Sequence, residues 1–76
     1  MQLIVQAWRS GVLLAEERHS TATRARHTAR QWADNGLTSR ILWPGARDCG
    51  RDWAEVHKPG GERQAGPIAD SAAWVQ

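Results

Sequence analysis

Residues 3–8 form a short apolar, β-prone run, and residues 12–18 resemble it. Between them Arg9-Ser10-Gly11 suits a tight connection, because glycine tolerates the positive φ that hairpin turns require. The pattern predicts a β-hairpin, either with Ser10-Gly11 as a two-residue turn or with Gly11 in a bulge. Ser20 and Thr21 are natural N-caps. Beyond them, over residues 22–35, Ala22, Ala25, Ala29, Trp32 and Ala33 recur at helical spacing. Alanine on the buried side lets such a helix lie close to a sheet, with Trp32 filling the gap at one end. Gly36 suits the position that ends it.

Residues 37–43 alternate, with Leu37, Ser39, Ile41 and Trp43 on one side and Thr38, Arg40 and Leu42 on the other. They predict a third strand, stopped by Pro44-Gly45. Residues 46–50 read as a loop. A fourth strand is expected over residues 52–58, where Trp53, Glu55 and His57 alternate with Ala54, Val56 and Lys58. Pro59-Gly60-Gly61 ends it, and residues 62–67 are linker-like in composition. The last segment regains apolar content through Ile68, Ala72, Ala73, Trp74 and Val75. Asp70 or Ser71 can cap a single helical turn there, but so short a helix needs something to pack on.

The expected fold is therefore a small α+β domain of order ββαββ over residues 1–58. It has an antiparallel or mixed sheet of three to four strands with one helix on one face. Residues 59–76 are expected to be a turn and a C-terminal extension that packs back or mediates contacts. A sheet covered on one face should alternate apolar and polar residues. The first three strands instead carry Leu3-Ile4-Val5, Val12-Leu13-Leu14 and Ile41-Leu42-Trp43, apolar on both sides. One helix covers one face, so the other requires the C-terminal segment, a second copy or a foreign partner.

Composition narrows the candidates. The 76 residues make one domain, and a chain this short buries only about 60% of its unfolded surface. Cys49 is the only cysteine, which rules out a disulfide within the chain and suits a reducing compartment. Five Trp and no Phe or Tyr mean that Trp dominates the aromatic packing. The net charge is a mild +2, and the arginine-rich, lysine-poor balance also fits a GC-rich genome. No run approaches 18 consecutive apolar residues, and residues 1–5 lack a basic leader, so a cytoplasmic protein with no membrane span is expected.

Residues that carry chemistry are few. Arg24, Arg26 and Arg30 on the helix, with Arg18 just before it, suggest phosphate contact, and nucleic-acid binding is the alternative function. The competing reading is a solvated face whose Arg stems cover the edges of the apolar stripe. Cys49 has Arg47 and Arg51 beside it and His57 eight residues on, but no nucleophile motif surrounds it. His19, His27, His57 and Cys49 lack the close ligand pairs of a structural zinc site. Glu16 and Glu17 are adjacent on a strand and so point to opposite faces. No catalytic, cofactor-binding or metal residue is assigned, and no cofactor is expected.

The leading expectation is a non-enzymatic protein-interaction module that self-associates through the sheet face or an edge strand. Its candidate anchors are Trp8, Leu13, Trp43, Trp53 and Trp74, since Trp is enriched in binding hot spots. The same residues also serve as ordinary core. A small-molecule pocket at a dimer seam is a third and more distant reading. In element order and size, residues 1–58 resemble small proteins of phages, integron cassettes and other mobile elements, anti-CRISPR inhibitors among them. That resemblance implies an accessory or inhibitor role and rests on architecture, with no diagnostic motif.

Overall fold

In the computed structural model, residues 2–43 and 53–75 are described. The loop containing Cys49, with the Pro44-Gly45 stop before it, lies outside the described residues. Strand β1 (Leu3–Arg9) turns into β2 (Val12–His19), followed by helix α1 (Ala22–Asp34), β3 (Thr38–Trp43), β4 (Trp53–His57) and β5 (Arg63–Pro67). The chain finishes in a single turn, α2 (Ile68–Ser71), continued by a 3-10 turn over Ala72–Val75. The sheet is antiparallel throughout, in the order β2-β1-β3-β4-β5.

The hairpin turn has two residues, Ser10 at φ 52° and Gly11 at φ 77°, with Arg9 paired to Val12. Positive φ at both central positions is the type I′ geometry, whose twist matches that of the flanking strands. A bulge does occur, one residue further in: Ala7 pairs with Ala15 and Trp8 with Leu13, leaving Leu14 as the extra residue.

Thr21 caps α1, its Oγ1 accepting from the Arg24 backbone N–H at 3.3 Å. The alanine stripe behaves as its spacing demands, with Ala25, Ala29 and Ala33 buried against the sheet. Ala25 and Ala29 meet Leu3, Val5 and Ile41, and Ala22, Trp32 and Trp43 close the margins of this core. Small side chains bring the helix axis near the strands, and the aromatic rings fill the space that alanine leaves at the ends. Gly36, at φ 86°, follows the C-cap Asn35 and reverses the chain into β3.

The expectation of three to four strands needs correction: the described residues form five. Residues 63–67, linker-like in composition, form β5 by pairing Arg63 with His57 through to Pro67 with Trp53. Their β propensity is poor, and the ladder to β4 holds them. The connection is a tight reversal in which Gly60 and Gly61 both have positive φ and Lys58 N–H donates to the Glu62 carbonyl at 2.8 Å. Among the described residues no helix is long and apolar enough to cross a membrane.

Candidate interaction surface

Pairing register decides what each face carries. Leu3, Val5, Ala7, Ser39 and Ile41 point toward α1, and their neighbours in sequence point away. On the second face three cross-strand rows result. One runs Glu16, Gln6, Arg40, Val56, Gln64; another Arg18, Ile4, Leu42, Ala54, Gly66; the third Leu13, Trp8, Thr38.

The C-terminal segment roofs one end of these rows. It packs on β4 and β5 and reaches β3. Trp74 lies so close over Gly66 that a Cβ there would stand 2.9 Å from its Cη2. Ser71 and Val75 are buried beneath the same segment. The roof stops at β3. On β1 this face is largely closed by neighbouring side chains, with Gln6 8% exposed and Ile4 and Trp8 half-buried, but on β2 Leu13 and Leu14 remain 43% and 53% exposed; Val12, paired with Arg9 and so turned to the other face, is 58% exposed. A contiguous exposed apolar cluster of this kind usually marks a binding surface.

Gln6, itself buried, ties together the polar side chains of this strip. Its Oε1 accepts from Arg40 Nε at 3.0 Å and from Trp8 Nε1 at 3.3 Å, while its Nε2 donates to Glu16 Oε2 at 2.9 Å. Arg40 Nη1 donates to Ser71 Oγ at 3.1 Å, and the guanidinium sits 5.3 Å from the centre of the Trp8 ring. No carboxylate among the described residues lies within ion-pair distance of Arg40, and its Nη2 makes no hydrogen bond there. Burial lowers the pKa of this guanidinium below its ordinary value. A groove of about 620 Å³, lined by Trp8, Ser10, Gly11, Arg40, Ala72 and Val75, runs between the hairpin turn and the C-terminal roof.

β2 is also an edge strand, and half of an edge strand's backbone groups face outward unpaired. The opposite edge, β5, is five residues long and ends in proline, which cannot donate to an added strand. β2 is eight residues long. Its second half carries Glu16, Glu17, Arg18 and His19, charges that discourage strand addition, whereas Val12, Leu13 and Leu14 have no such guard.

Of the five candidate anchors, Trp8 and Leu13 stand opposite each other at the apolar end of this strip. Trp74 forms part of the roof. Trp43 and Trp53 are cross-strand partners on the helix side, where Arg26 lies 5.2 Å from the Trp43 ring centre. The four arginines considered for nucleic acid do not gather on one surface. Arg18 belongs to the second face, Arg24 and Arg30 are exposed on the helix, and Arg26 is engaged by a carboxylate. Arg30 lines a separate cleft of about 510 Å³, with Asp34, His57, Lys58, Glu62 and Arg63.

That carboxylate, Glu55, is the charged centre of the helix side and was not singled out from the sequence. Its side chain is 5% exposed and takes His57 Nε2 at 2.7 Å, Arg26 Nη2 at 3.1 Å and, more distantly, Arg63 Nη1 at 3.8 Å. The hydrogen bond from His57, then those from Arg26 and the charges of both, hold its pKa down to about 2 against the upward push of burial. Ser39 stands across from His57, which puts a hydroxyl, an imidazole and a carboxylate on neighbouring positions. The Ser39 hydroxyl is fully buried and bonded to nothing among the described residues, His57 and Glu55 included. No group of three metal-ligating side chains occurs among the described residues. No family model, curated protein or solved structure matches the chain.

Proposed function

We propose that this protein is a small non-enzymatic interaction module that associates with a second copy of itself through the face of the sheet at the β1–β2 hairpin, which the C-terminal segment does not reach. The observation that carries the reading is the unroofed apolar end of the hairpin, where Leu13 and Leu14 are each more than two-fifths exposed beside Trp8, with Val12 exposed at the turn. A 76-residue domain has little core to spare, and covering this strip would supply the burial that a short chain lacks. An accessory or inhibitor role, in which such a module blocks a larger protein, fits the same surface.

Light-scattering mass measured by chromatography over a range of loading concentrations tests this. The expected result is a mass near twice 8.5 kDa that falls toward 8.5 kDa on dilution. Leu13→Asp, on an exposed side chain, should shift the equilibrium to monomer without unfolding the protein. A strict monomer at the highest concentration, with Leu13→Asp indistinguishable from wild type, overturns the reading.

A further inference from the structure

The row beside the exposed hairpin end carries its own complement. Glu16, Gln6 and Arg40 occupy one row on three adjacent strands, β2, β1 and β3, with Gln6 in the middle. The row is antisymmetric in charge: a carboxylate one strand to one side of β1 and a guanidinium one strand to the other. We infer that two copies pack face to face about a twofold axis that runs along β1 above Gln6, so that Glu16 of each copy pairs with Arg40 of the other. This rests on the self-association proposed above and specifies its geometry.

Among in-plane twofold axes, direction decides the result. An axis parallel to the strands exchanges left and right across β1, setting β2 of one copy over β3 of the other and bringing opposite charges together. An axis across the strands keeps each strand over its own copy, and would oppose like charges along this row, at a cost. Arg40 is equipped for such a contact. Its Nε and Nη1 are held by Gln6 and Ser71, Trp8 lies beside the guanidinium, and Nη2 has no partner among the described residues. Glu16 gives Oε2 to Gln6 and leaves Oε1 without a partner there. Packed sheets stand about 10 Å apart, a gap that an arginine and a glutamate reaching toward each other can close. The same rotation lays Trp8 over Trp8 and Ile4 over Ile4, and brings β2 against the partner's C-terminal segment where it reaches β3. A hydrogen-bonded counter-ion from the partner would remove the unfavourable state of a half-buried cation with no anion.

Charge reversal on the full chain tests the arrangement. Glu16→Arg puts two arginines in the row and Arg40→Glu puts in two glutamates, so each variant alone should weaken the dimer at least tenfold. Mixed in equal amounts, the two variants should form a heterodimer at close to wild-type affinity, because every cross-copy pair is then of opposite sign. The double variant should likewise recover. Glu16 is exposed, so Glu16→Arg remains informative even if Arg40→Glu perturbs the fold through Ser71. A wild-type dimer that Glu16→Arg leaves intact overturns this packing while self-association stands. A wild-type protein that never dimerises sinks both.

Discussion

Arg26 on the helix and Glu55 on β4 lock the two layers together through a forked contact, with Nε 3.3 and 3.2 Å from the two carboxylate oxygens and Nη2 3.1 Å from one of them. They are 29 residues apart in the chain, and the same carboxylate receives His57 from its own strand. The helix is thus fixed by charge on one side and by alanine packing on the other.

Acid should weaken the fold through this pair. The pKa of Glu55 lies at about 2 in the folded protein, below its ordinary 4.5. A depressed carboxyl pKa contributes stability that is complete above the unfolded value and drains away as pH falls through the folded one. The loss between about pH 4.5 and pH 2 should be on the order of 3 kcal/mol. Urea midpoints measured across that window should show this decline in the wild type. Glu55→Gln should start lower and lose much less over the same range.

Ser10 adopts φ 52°, a left-handed conformation that costs an ordinary side chain energy. Ser10→Asn creates the Asn-Gly pair favoured in type I′ turns and should stabilise the protein by roughly 0.5 kcal/mol. For a domain of this size the melting midpoint should rise by about 2–4 °C. No rise would mean that the turn has another geometry in solution.

Gly66 is the footing of the C-terminal roof. Gly66→Ala would thrust a methyl into Trp74, since its Cβ would lie 2.9 Å from Cη2 and 3.4 Å from Cζ2. A rigid indole cannot yield as a flexible chain end does, so the segment itself must lift, at a cost of roughly 1–3 kcal/mol. Acrylamide should then quench tryptophan fluorescence more strongly than in the wild type. Unchanged quenching would mean that Trp74 does not rest on β5.

Ser39 is fully buried and its hydroxyl has no partner among the described residues. A desolvated hydroxyl without a hydrogen bond is unfavourable, so Ser39→Ala should raise stability by roughly 1 kcal/mol. A higher urea midpoint at unchanged slope is the expected reading. A lower one would show that the hydroxyl is bonded after all.

Much of this molecule is written locally. The Ser10-Gly11 turn, the Thr21 cap, the alanine stripe and the alternation along β3 and β4 are short-range patterns, and each sits in the structure where its spacing puts it. What alternation cannot give is a partner. β5 carries Arg63, Gln64, Ala65, Gly66 and Pro67, with no apolar period to announce a strand. It exists because the Gly60-Gly61 reversal delivers it to the free edge of β4. Glu55 was visible only as one polar residue in an alternating run, and its three nitrogen-bearing neighbours come from an adjacent strand, the same strand and the helix.

The sequence by itself determined that the strands are apolar on both faces and that one helix could shelter only one of them, because side-chain direction along a strand follows from a period of two. Only the tertiary structure decided how far the C-terminal segment reaches, and so which half of the second face stays open. That extent depends on strand order and on a tryptophan seated over a glycine eight residues earlier, contacts between surfaces that folding assembles and no local period encodes.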